Sequence, residues 1–141
     1  MPVIWPTDFH TLINSPSPAV LTTYRQDGTA SVSPVWFRFQ DQNFEVVVAE
    51  GDVKLVHLRR RQDCSLIVFE TVAPFRGVRV EGPPRLLPDE DNRVRSVIAG
   101  RYLGAEEGQE FVEQRETPGV VLQFGATEAH PWDLSGILPK R

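Results

Sequence analysis

A lone cysteine, Cys64, excludes an internal disulfide and any zinc or iron–sulfur centre built from several thiolates. Its neighbours Ser65-Leu66-Ile67-Val68 read as a core strand, which makes the thiol a buried packing group. Histidine is nearly as scarce. His10, His57 and His130 lie far apart and lack the i, i+3 or i, i+4 pairing of a helical metal site, so no metal is assigned. Long apolar runs are missing too: Val46 to Ala49 and Leu66 to Phe69 fall far short of the about 20 residues that a helix needs to cross a bilayer. Met1 to Asp8 carries an early Pro2 and no basic stretch leading into an apolar one, so it does not read as a signal peptide, and a cytoplasmic protein without a membrane partner is expected. Positive charge is not in excess either. Fifteen Lys and Arg against nineteen Asp and Glu leave a net charge of -4, which argues against a surface that coats nucleic acid, so any anion must be captured by a local positive cluster.

With 141 residues, no internal repeat and no long linker, the chain reads as one domain over 1–141. Thr7 offers a helix cap ahead of Asp8 to Ile13, and Asn14-Ser15-Pro16 a stop. Ala19 to Arg25 and Thr29 to Gln40 are β-prone runs joined by the turn Gln26-Asp27-Gly28, and Asp41-Gln42-Asn43 leads into a third strand, Phe44 to Ala49. After Glu50-Gly51-Asp52 the spacing changes to a helical one, with Val53, Leu55, Val56 and Leu58 as apolar positions and Lys54, His57 and Arg59 as polar ones. Strand signals return at Cys64 to Thr71 and at Arg76 to Leu87, the latter interrupted by Gly82-Pro83-Pro84. Pro88-Asp89-Glu90 opens a helix to about Tyr102, its acidic first turn matching the positive end of the helix dipole. Glu106 to Arg115 is a second helical piece, Pro118 to Thr127 a strand, and Pro131 to Leu134 a less regular tail. About six strands, mostly hairpin-joined, predict a mainly β, α+β fold whose antiparallel sheet curls into a partly open barrel.

The segment from Ala49 to Arg61 is the most informative. A strand that passes through a tight glycine turn into a helix aims free backbone N–H groups at one point, and Lys54 in the first turn adds a mobile positive charge. By spacing alone, the same segment fits a capped amphipathic helix with a basic exposed face.

Three segments taken together carry a resemblance: Ser31-Val32-Ser33-Pro34-Val35-Trp36-Phe37; Lys54 opening a helix that ends in Leu58-Arg59-Arg60; and Arg76-Gly77-Val78-Arg79-Val80-Glu81-Gly82. Over about Pro18 to Arg101 the chain resembles the split β-barrel oxidoreductases related to pyridoxamine 5′-phosphate oxidase, closest to the subgroup that uses FMN or coenzyme F420. The resemblance implies an antiparallel split barrel, a homodimer with sites at the subunit interface, and a small-molecule substrate. It implies that Lys54 binds the cofactor's phosphate, that Ser33, Pro34, Val35 and Trp36 contact its ring, and that Ala49 and Glu50 border the site. Arg59, Arg60 and Arg76 are further candidates for phosphate or an acidic tail, and Trp132 for covering the ring across the dimer. Glu50 and Asp52 depart from the pattern, because carboxylates near phosphate repel it; both must point away or be neutralised. The chain also stops soon after Trp132, without the basic C-terminal segment of true pyridoxamine phosphate oxidases, so vitamin B6 oxidation is not expected. Hydride transfer to a small planar conjugated acceptor is the expected activity, with no side chain singled out as catalytic. A non-catalytic flavin, deazaflavin or tetrapyrrole carrier is the alternative.

Overall fold

The computed structural model describes residues 9–140, the Glu128 side chain excepted, so the Thr7 cap lies outside the described residues. Helix α1 (Phe9–Asn14) buries Phe9, Leu12 and Ile13. Strands β1 (Ala19–Tyr24) and β2 (Ala30–Val35) form the expected hairpin, in register from Ala19 opposite Val35 to Tyr24 opposite Ala30. Its turn is held by Asp27, whose carboxylate accepts from the Thr29 amide at 3.0 Å and hydroxyl at 2.7 Å.

The run from Thr29 to Gln40 is not one strand. It breaks at Trp36 and Phe37, and β3 (Arg38–Gln40) belongs to a different sheet. The Phe37 N–H donates to the Tyr102 hydroxyl at 3.2 Å and its carbonyl accepts from Arg101, so distant side chains take the place of a strand ladder there. The side chain of Phe37 is fully buried against Phe44.

After β4 (Asn43–Ala49) comes helix α2 (Val53–Arg60). Its buried face is Leu55, His57 and Leu58, whereas Val53 and Val56 are exposed, a correction to the expected division. The cause is a buried hydrogen bond between His57 Nδ1 and the Thr23 hydroxyl at 2.9 Å, which satisfies a polar ring beneath the sheet. Strand β5 (Ser65–Phe69) follows, and Cys64 just before it is buried. Gly82-Pro83-Pro84 then divides the next run into β6 (Gly77–Glu81) and β7 (Arg85–Asp89), on different sheets, because proline cannot donate to a ladder.

Helix α3 (Arg93–Leu103) begins later than expected, since Pro88 and Asp89 complete β7. Asp91 and Asn92 turn the chain with φ of 55° and 56°, and the Asp89 carboxylate accepts from the amides of Val94 and Arg95, both at 2.9 Å. Gly104, at φ 89°, joins α3 to α4 (Ala105–Glu113). β8 (Gly119–Gly125) and β9 (Ala129–Trp132) complete the fold, so Pro131 and Trp132 of the tail expected to be irregular pair with β6, while Asp133 and Leu134 lie outside any strand.

Nine strands, against about six expected, form two antiparallel sheets among the described residues, in the orders β2-β1-β5-β6-β9 and β3-β4-β8-β7. The excess comes from the two divided runs and β9. Leu21, Leu66, Val68, Val78 and Val80 of the first sheet share one core with Phe44, Val46, Leu122 and Phe124 of the second. No helix among the described residues is long and apolar enough to cross a membrane.

Candidate functional site

A cavity of about 330 Å³ opens where β4 ends and β8 begins. The Glu50 amide donates to the Pro118 carbonyl at 2.8 Å and ties these ends together. Val47, Val48 and Ala49 form one wall, Pro34, Val35 and Trp36 another, and Ile98 and Phe111 come from the α3/α4 hairpin. Trp36 stacks on Tyr102 with centroids 5.1 Å apart and meets Phe111 at 5.2 Å in a tilted pair. The charged lining is Lys54, Arg95, Arg115 and Asp52.

The turn into α2 is built by Gly51 at φ 90°, a conformation that favours glycine, and by Asp52. The Asp52 carboxylate accepts from the Lys54 amide at 2.8 Å and lies 3.6 Å from Lys54 Nζ. One of the helix's free amides is therefore capped within the chain, and the positive feature offered to the cavity is the lysine side chain rather than an open helix end. Glu50 points away, exposed, 3.5 Å from Arg59 Nη2. Of the two acids that departed from the family pattern, one is thus neutralised by an arginine outside the cavity and the other is engaged as the cap.

Arg95 is buried, and its Nη1 donates to Asn92 Oδ1 at 3.2 Å and to the Thr117 carbonyl at 2.9 Å. Burial holds its guanidinium below the ordinary arginine range; Asp89 opposes that shift and the charge of Arg115 adds to it. Arg115 stacks on Phe111, 4.3 Å from the ring centroid.

Of the residues expected at the site, the structure brings Pro34, Val35, Trp36, Ala49 and Lys54 into one cavity. The others stand elsewhere. Ser33 Oγ is buried without a hydrogen-bond partner on the neighbouring stretch of β2 and does not line the cavity. Glu50, Arg59 and Arg60 are exposed and outside its lining. Arg76 is held by Glu70 at 2.8 Å, and Trp132 packs across Gly77 and donates its indole N–H to the Phe75 carbonyl at 3.1 Å. Sequence reasoning missed Arg95, Ile98, Phe111 and Arg115. No sequence signal marks Arg95: Val94, Val97 and Ile98 form the apolar i, i+3, i+4 set of α3, yet the fold exposes Val97 and buries Arg95 with Ile98 and Ala99. Arg115 carries no signal either.

Comparison with solved structures finds similar folds. A conserved hypothetical protein from Mycobacterium tuberculosis, Rv2991, is 24% identical, with a TM-score of 0.78, over 99% of this chain and 91% of that one. A protein described as an F420 reductase is 19% identical, with a TM-score of 0.62, over 89% and 98%. HutZ, a heme storage protein from Vibrio cholerae, is 11% identical, with a TM-score of 0.64, over 87% and 91%. At these identities the likeness is one of fold. No curated protein matches the chain. The match of the pyridoxamine 5′-phosphate oxidase family model to residues 6–133 adds sequence to that likeness, and the chain belongs to that family.

Proposed function

We propose that this chain holds a phosphate-bearing flavin or deazaflavin, FMN or coenzyme F420, in the cavity at the end of β4, and serves as an oxidoreductase for a small planar conjugated substrate. The observation that carries the proposal is the composition of the cavity, in which Lys54 stands beside the apolar surfaces of Val35, Trp36, Val48 and Ile98. A phosphate-bearing ring system needs that combination, a cation at one end and flat dry walls along the rest. When bound, the ring supplies the hydride chemistry. The chain's own part is to anchor the phosphate through Lys54, to exclude water with its aliphatic walls, and to hold the reactants in register, which can supply about 7–11 kcal/mol of a barrier. Asp52 is the one carboxyl in the lining, and it is engaged as a helix cap, so no acid–base residue is assigned.

The proposal includes a homodimer of split barrels. By register, Val20, Pro34 and Ile67 share the outer face of the first sheet, with Val32 opposite Thr22 one step along. Val32 is 62% exposed, and Val53 and Val56 of α2 are exposed as well. Apolar surface of this kind favours a protein partner over water, and the partners expected are a second copy and small molecules, with neither nucleic acid nor membrane.

The likeness to HutZ, a heme storage protein, favours a carrier as the second reading. Reducing the cofactor-loaded protein without air and adding quinones, unsaturated ketones or unsaturated acids separates the two. Reoxidation by one acceptor class supports the oxidoreductase; a loaded protein that no acceptor reoxidises is a carrier.

A further inference from the structure

We propose that Arg95 and Arg115 form a second oxyanion subsite in this cavity, taking the carboxylate of a planar conjugated acid, while Lys54 serves the cofactor's phosphate. This rests on the cavity reading above and names the substrate class for it. Three cations and one carboxylate line the cavity, and that carboxylate, Asp52, is 3.6 Å from Lys54. The two guanidiniums therefore have no acid of their own in the lining. Asp89, whose charge reaches Arg95, spends its oxygens on the amides of Val94 and Arg95. Arg115 also borders a groove holding Asp89, Asp91 and Glu116, yet it makes no ion pair with a described residue and rests on the face of Phe111.

The donors are available as well as charged. Both hydrogen bonds of Arg95 leave from Nη1. Nη2 makes no hydrogen bond with a described residue, and it lies against Gly119, where an added Cβ would come within 3.2 Å of it, so a side chain there would crowd the fork. Two like charges close enough to feel each other are relieved by an oxyanion between them, and the planar fork of arginine suits carboxylate. Phe111, stacked on by Arg115, also packs against Trp36, so the subsite is continuous with an aromatic wall.

The test is titration calorimetry of cinnamate and cinnamamide, which share shape and differ in charge, with and without FMN. Wild-type protein should prefer the acid. Arg115→Gln should weaken cinnamate by about tenfold or more, the loss expected for one charge-assisted hydrogen bond, and leave cinnamamide and FMN affinity unchanged. Arg95→Lys, which keeps the charge but loses the fork, should weaken cinnamate in the same direction. Equal affinity for acid and amide, including no binding of either, overturns the proposal. So does an Arg115→Gln variant that loses FMN as strongly as cinnamate, since the arginines then belong to the cofactor's phosphate. If FMN fails to bind while the acid is still preferred and Arg115→Gln abolishes the preference, the subsite stands and the redox reading falls.

Discussion

In the α3/α4 hairpin, helix propensity and packing pull against each other, and two alanine substitutions separate them. Replacing an interior helical glycine by alanine gains about 0.8–1 kcal/mol of helix propensity. At Gly100 the added Cβ meets nothing within 4 Å, so Gly100→Ala should stabilise the protein by about that amount. At Gly108 the same Cβ would lie 2.8 Å from the Gly100 nitrogen, 2.9 Å from its Cα and 3.0 Å from the Ala99 carbonyl carbon. These are backbone atoms, and no rotamer relieves the contact. The helices must part. Overpacking costs about 1–3 kcal/mol, so after the propensity gain Gly108→Ala should lose up to about 2 kcal/mol. Phe111 lies on the same helix and packs on Trp36, so parting the hairpin also loosens the cavity wall. Equilibrium urea denaturation followed by tryptophan fluorescence reads both variants. A Gly108→Ala protein as stable as Gly100→Ala would refute the close approach of the two helices.

Three further predictions concern the groups that position this hairpin and the core. Tyr102→Phe removes a hydroxyl that accepts from the Phe37 amide and donates to the Ser17 carbonyl at 3.0 Å; orphaning these should cost about 1–3 kcal/mol in the same urea assay. Asp89→Ala strips two amides at the start of α3 of their acceptor and should lower stability by about 0.5–2 kcal/mol, with Asn recovering part of it. Burial pushes the Cys64 thiol up from 9.0 to about 12, so the native protein should resist thiol reagents at pH 8 and react once unfolded. Above pH 9 the unfolded chain releases this proton while the folded chain keeps it, so stability is fully present below 9 and declines as pH rises toward 12. In Cys64→Ser this part of the decline should vanish; an unchanged slope would contradict the burial.

What was legible in the sequence was local. Asp27-Gly28 announces its hairpin through turn chemistry, and Asp52 announces α2 as a cap, because both act within a few residues. The break at Trp36 and Phe37 was not legible, since it depends on Tyr102 and Arg101, which lie more than sixty positions along the chain. The same contrast holds at the cavity. Pro34, Val35, Trp36 and Ala49 lie at or just past strand ends, and Lys54 opens the helix that follows one, local patterns that a motif can carry. Arg95 and Arg115 reach it only because α3 and α4 fold back over the end of β8, which no short-range signal encodes. Arg59 illustrates the converse: it suits a phosphate site in sequence, and in the fold it pairs with Glu50 outside the cavity's lining.

Titrating wild-type protein and Lys54→Ala with FMN and with riboflavin, which has the same ring and no phosphate, is the most direct trial of the cavity as a cofactor site. FMN should bind wild type more tightly than riboflavin by about 1.5–3 kcal/mol, the strength of a charge-assisted hydrogen bond, and Lys54→Ala should erase the difference. Equal binding of the two ligands to wild type, or an FMN preference that survives the loss of Lys54, would contradict the account.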